Sequence, residues 1–278
     1  MTRLTDPPRT VVTGAGGAWV ATLTDGARSV SLAGPKRTFS ESTAAAPVTI
    51  ATWVRLLPQP FAGTVDTGWL ATAQADRSPD VIAIAAQYLR GAPAIVNEAG
   101  LQVAGDASYG PLQADGSRQE GSDFNDYLGV TWQYADVVDA PEPPQYRSLD
   151  CSGFMRMVWG YRSGMPLVLN PDGVGLPRRA VDMAARGPGV MVIPDSGART
   201  VAYGRLTTGD LVFFDASSDD GTDIDHVGMY LGRDSAGRYR FVSSRKAADG
   251  PTMGDTSGRS VLDGTGLYAT SFRSARRL

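Results

Sequence analysis

Hydrophobic and polar positions alternate in several short stretches, which predicts strands before anything else. Ala18-Trp19-Val20-Ala21-Thr22-Leu23, the turn Thr24-Asp25-Gly26 and Ser29-Val30-Ser31-Leu32 predict a β-hairpin. Val48 to Leu57 reads as a further strand, stopped by Pro58 and Pro60. Residues 1–10 show no such pattern and read as a flexible tail. Ser78-Pro79-Asp80 then opens a helix, with Val81, Ile82, Ile84, Ala85, Tyr88 and Leu89 on one stripe and Gly91 at its end. Residues 94–147 are rich in Gly, Asp, Ser and Pro, with a short helix expected within 121–128. A short helix is expected over 176–183 and a strand over 189–193. Three strands follow, Gly209 to Phe214, His226 to Gly232 and Arg238 to Ser244, with a last strand at Gly266 to Arg273.

One helix stands apart from this β-rich pattern. In Asp150-Cys151-Ser152-Gly153-Phe154-Met155-Arg156-Met157-Val158-Trp159 an acid precedes a dense apolar run broken only by Arg156. Asp150 suits a helix N-cap, because its carboxylate can accept from the unpaired N–H groups of the first turn. Cys151 then occupies the first helical position, where the positive end of the helix dipole should lower its pKa. The fold class this predicts is α+β: an antiparallel sheet with the Cys151 helix packed on it. Two domains are expected, a β-containing extension over 1–75 and the main body over 76–278. Trp19, Trp53 and Trp69 of the extension read as core or contact residues.

The 278 residues suffice for a normal core, with 42% hydrophobic and 20% charged residues. The formal charge of −3 makes no case for nucleic acid or an anionic membrane. A single cysteine excludes an internal disulfide. No apolar run is long enough to span a membrane. The first residues show no apolar signal core. The expectation is a chain that stays in the cytoplasm as synthesised or reaches the cell wall by a non-classical route; its oligomeric state is open.

The chain also holds a single histidine, His226. It opens a strand on which Val227, Met229 and Leu231 share one face and His226, Gly228 and Tyr230 the other. A cysteine nucleophile needs a base, and His226 is the histidine available. Gly228 beside it suits a cleft. The acidic residues Asp215, Asp219, Asp220, Asp223 and Asp225 lack calcium-loop spacing and read as a solvated loop. Arg273, Arg276 and Arg277 read as a solvated strand face.

Three blocks together resemble the signatures of the NlpC family: Asp150-Cys151-Ser152-Gly153-Phe154, Gly209 to Phe214, and Asp225-His226-Val227-Gly228-Met229-Tyr230-Leu231-Gly232. Leu176-Pro177-Arg178 and Arg276-Arg277 resemble lesser landmarks, and the likeness covers roughly residues 79–278. That family comprises bacterial cell-wall cysteine peptidases with a reduced papain-like fold. The resemblance implies that Cys151 attacks a carbonyl and His226 serves as base, then acid, with no metal or cofactor. It implies peptidoglycan stem peptides or muropeptides as substrates, cut between D-glutamate and the diamino acid. An acyltransferase or deamidase using the same pair, or a non-catalytic binding domain, are the alternatives.

The sequence departs from the family pattern in several ways. Cys151 and His226 are 75 residues apart, a long separation. Ala94 stands where the family has a tyrosine, so Tyr109 or Tyr134 would take its place. Asp150 and Ser152, with one of those tyrosines, are the candidates for oxyanion and substrate contacts. The third catalytic position, commonly histidine, matches Ser243, with Ser244 the choice if the register slips by one. Arg245 is a poorer candidate, since a cation disfavours the imidazolium.

Overall fold

The computed structural model describes residues 1–135, 137–172, 174–217, 221–256 and 258–278. Its first five strands, Thr2–Thr5, Pro8–Thr13, Trp19–Thr24, Ser29–Phe39 and Val48–Leu56, form one antiparallel sheet in chain order. The expected hairpin is its centre. The expected tail is instead its edge, because Thr2–Thr5 pairs residue for residue with Pro8–Val11. Its Thr and Arg side chains are mostly exposed, which left no apolar alternation to read. Leu23, Val30, Leu32 and Trp53 bury one face with Leu70 of the helix Thr67–Ala75. Asp66 caps that helix by accepting from Trp69 N at 3.0 Å. Trp19 remains 37% exposed and carries little of this core.

The other side of Val48–Leu56 joins the main core through Val48, Ile50 and Val54. The helix that follows is Val81–Ala86, and its cap is Asp80, not Ser78. The Asp80 carboxylate also accepts from Val54 N at 2.8 Å and from Arg37, so one buried side chain joins helix and strand.

A second antiparallel sheet has the spatial order Val190–Ile193, Phe272–Arg277, Leu211–Phe214, His226–Arg233, Tyr239–Arg245, Gly250–Thr252. Period-two alternation divides its side chains between two cores. Leu211, Phe213, Val227, Met229 and Val242 pack with Phe154, Met155 and Val158 of the Cys151 helix. Val212, Phe214, Tyr230, Phe241 and Phe272 pack with Tyr268 on the opposite face.

The C-terminus departs from expectation: Leu267–Ser271 is helical and the strand begins at Phe272. Its arginines are buried, not solvated. Arg277 grips Asp210 at 2.8 Å through two nitrogens, Arg273 pairs with Asp195 and Asp215, and Arg276 donates to Ala184 O at 2.8 Å. A basic strand next to carboxylates is neutralised internally, a non-local fact that charge spacing does not reveal. Between the sheets, residues 94–147 are short pieces, among them the helix Phe124–Leu128 with an Asp123/Asp126 capping box. The helix expected from Leu176 starts only at Ala180 and runs to Arg186. Among the described residues no helix is long and apolar enough to cross a membrane.

Candidate active site

The Cys151 helix begins as Cys151–Met155 and continues as a π-helical segment, Arg156–Tyr161. Asp150 is the N-cap, as its position implies: its carboxylate accepts from Gly153 N at 2.7 Å and from Gly121 N at 3.1 Å. Gly153 is required by packing, since a Cβ there would lie 2.2 Å from Ser122 O. Arg156, the one charge in the apolar run, turns inward onto Asp123 at 2.9 Å and onto the carbonyls of Val168 and Leu176 at 2.7 Å.

Arg178 completes the mouth of this helix. It donates to Asp150 Oδ2 at 2.6 Å, to Ser152 Oγ at 2.6 Å and to Gly121 O at 2.7 Å. Burial alone would raise the Asp150 carboxyl, but Arg178 and the backbone N–H groups outweigh it and hold it below its ordinary value. The signal for Arg178 was its place in Leu176-Pro177-Arg178; its partner was not readable.

Cys151 Sγ lies 3.9 Å from Asp225 O and takes a hydrogen bond from the Val227 backbone. The thiol therefore rests on the residues either side of His226. The expected low thiol pKa is not what the surroundings impose. Burial and the neighbouring Asp150 push it up to about 12, overriding the helix start. Burial and then Arg245 push the imidazole down to about 3. The resting pair is an uncharged thiol and an uncharged imidazole. The His226 ring packs 5.7 Å from Phe214 and 5.1 Å from Tyr268, and its Nε2 is buried with no hydrogen-bond partner among the described residues. Gly228 does not open a cleft there: a Cβ on it would lie 2.9 Å from the Phe241 ring and 3.1 Å from Ser243 Cβ. It permits close strand packing instead.

Ser243 shares the histidine's face, as alternation requires, but its Oγ accepts from Arg245 Nε at 3.0 Å. That bond goes to the guanidinium and not to the imidazole. Ser244 points to the other side and donates to Leu149 O at 2.5 Å, anchoring the chain just before Asp150. We expect Ser244→Ala to cost about 1–3 kcal/mol, the price of an unsatisfied buried carbonyl. Urea unfolding measures this, and an unchanged midpoint would show the anchor to be dispensable.

The cleft above Cys151 has a volume of about 610 Å³. Tyr109, Glu120, Arg178, Arg179 and Lys246 stand around it, with Asp150 and Ser152. The two candidate tyrosines separate here. Tyr109 faces the cleft, its hydroxyl donating to Glu120 at 3.1 Å. Burial, then the nearby Cys151 and acids, push its phenol far up, so it stays a proton donor. Tyr134 is not part of the cleft; it accepts from Arg156 behind the helix. The Glu120–Lys246 pair at 2.8 Å bridges the rim and was not singled out by sequence. Of the acidic loop, Asp215 pairs with Arg273 and Asp225 accepts from Ala216 N and Ser217 N at 2.7 Å. Asp219 and Asp220 lie outside the described residues.

Residues 139–238, which include Cys151, Arg178 and His226, match the model of the NlpC/P60 family. They belong to that family. One solved structure similar to the chain is described as similar to a lipoprotein of the NLP/P60 family, from Staphylococcus aureus subsp. aureus Mu50. It is 16% identical, with a TM-score of 0.34 over 76% of this chain and 47% of that one, so this chain spans about half its length. No curated protein matches the chain at a significant level. Within the NlpC/P60 region, the geometry joins the Asp-Cys-Ser-Gly block to the His block through the thiol's contacts with Asp225 and Val227. The block Gly209 to Phe214 is explained differently: Asp210 serves the terminal Arg277 and lies away from the cleft lining.

Proposed function

We propose that the chain is a cysteine peptidase that hydrolyses peptidoglycan stem peptides on a papain-like α+β domain over 76–278, with 1–75 a β-containing extension docked on it. The observation that carries this reading is the Cys151 thiol at the floor of the cleft, resting on the residues that flank the single histidine. Cys151 is the nucleophile and His226 the base. The Cys151 N–H and the Tyr109 hydroxyl are the donors for the oxyanion. Asp150 and Ser152, held by Arg178, shape the site, and Ser243 acts at one remove through Arg245. The cut is the γ-linked bond between D-glutamate and the diamino acid.

A second reading, a binding domain of the same fold, draws on the uncharged pair. The test is to incubate the protein with intact sacculi and with free muropeptides and to read the products by mass. Cys151 is only 7% exposed behind a rim bridged by Glu120 and Lys246, so small muropeptides should be cut faster than sacculi. Equal or faster release from sacculi would contradict that ordering. Retention of muropeptides without products would favour the binding domain.

A further inference from the structure

Arg245 ends the strand Tyr239–Arg245 on the same face as Phe241 and Ser243. Its guanidinium carbon lies 4.5 Å from the centre of the Tyr268 ring and 5.2 Å from that of Phe241. The same Tyr268 ring lies 5.1 Å from the imidazole of His226, so one tyrosine is shared between cation and histidine. The guanidinium donates to Ser243 Oγ at 3.0 Å, to Gly258 O at 2.6 Å and to Ser260 Oγ. Arg245 is 2% exposed, and among the described residues it forms no ion pair. The equally buried Arg156, Arg240 and Arg277 each hold a carboxylate. Glu41 and Asp255 favour this cation only from a distance, its burial disfavours it, and a second positive charge beside it would be costlier still.

We propose that Arg245 is the positioning residue of His226, fixing the imidazole through the Tyr268 ring that lies between them. This rests on the peptidase reading above. The groups facing the imidazole are few. Arg245 comes from its neighbouring strand, Tyr268 from the helix Leu267–Ser271, and Asp150 from the cap of the Cys151 helix, while the Cys151 thiol meets the carbonyl of Asp225. The Asp225 carboxylate, one residue back, is turned to the N–H groups of Ala216 and Ser217. Asp150 favours the imidazolium, but burial and Arg245 prevail.

The consequence is mechanistic. The thiol proton passes to the imidazole as Sγ bonds to the carbonyl carbon and the carbonyl electron pair moves to oxygen. No thiolate forms beforehand. The imidazolium, disfavoured beside Arg245, passes its proton to the departing amine nitrogen as the C–N bond breaks. Water then attacks the thioester carbon, giving one proton to the imidazole as the C–O bond forms; the C–S bond breaks, the imidazolium returns that proton to Sγ, and the carboxylic acid leaves.

One histidine and one cysteine make the test unambiguous. The His226 Cε1–H resonance is titrated by NMR in the untagged chain, as wild type, Arg245→Lys and Arg245→Met, and iodoacetamide labelling of Cys151 is followed alongside. The wild-type resonance should stay still from about pH 8 to about pH 5, unlike an ordinary histidine near 6.5. Arg245→Lys, which keeps the charge, should behave alike. In Arg245→Met the midpoint should rise by about one unit or more, and labelling near pH 6.5 should rise about tenfold. A wild-type midpoint near about 6.5, or a folded Arg245→Met with an unmoved resonance, would overturn the proposal. If the methionine variant does not fold, Arg245→Gln, which also removes the charge, takes its place in both readouts. Neither readout needs turnover, so a protein that cuts no muropeptide yet titrates as expected would reject the peptidase reading and retain the role of Arg245 in ring ionisation.

Discussion

Cys151→Ala should lower the hydrolysis of muropeptides by on the order of 10⁴-fold or more, the scale of removing a nucleophile from a covalent mechanism. The chain offers no second thiol to take over. The change should leave the fold intact. Among the described residues Sγ makes one long contact, to Asp225 O at 3.9 Å, and accepts one backbone N–H, while the cap on the helix is made by Asp150. A peptide-loaded acyl-enzyme, trapped at low pH in the wild type, should be missing from the variant by mass spectrometry. Cleavage within about tenfold of wild type would remove Cys151 from the mechanism and leave binding as the use of the cleft.

Arg178→Met should destabilise the protein by about 3–5 kcal/mol at neutral pH, the cost of breaking a buried ion pair from one side. The side chains of Arg178 and Asp150 are 19% and 8% exposed, so solvent screens the pair little. The sign of the pH dependence follows. In the wild type the Asp150 carboxyl lies below its unfolded value, so it contributes stability above that value and loses it as pH falls through the folded one. In the variant, burial without Arg178 raises the carboxyl above its unfolded value, and stability is then lost as pH rises. The two chains should therefore differ most near neutral pH and converge only at acid pH below the value Asp150 holds in the folded wild type. Urea unfolding at both pH values reads this out. A difference that stays constant with pH would show that Arg178 acts through its bonds to Ser152 and Gly121 and not through the Asp150 charge.

The sequence by itself determined the elements whose causes are local. Asp150 before an apolar run specifies a capped helix, because the cap bonds to a group three residues on. The period-two runs at 211–214, 226–233 and 239–245 specify strands and their faces, because neighbouring side chains on a strand point to opposite sides. That is why the place of Cys151 at a helix start, of His226 at a strand start and the side on which Ser243 stands could be read directly. The tertiary structure decided what joins residues distant in the chain. It chose Tyr109 over Tyr134 for the cleft, because residues 107–109 are tied by Ser108 to Arg147 and Leu149, beside the helix start. It set Arg178 on Asp150 and Arg277 on Asp210, turning arginines with no visible partner into buried ion pairs. It reversed the expected ionisation of the thiol, because a short helix start is a weaker influence than full burial beside a carboxylate. Charge in a protein interior depends on what lies within a few ångströms in space, and linear spacing carries little of that information.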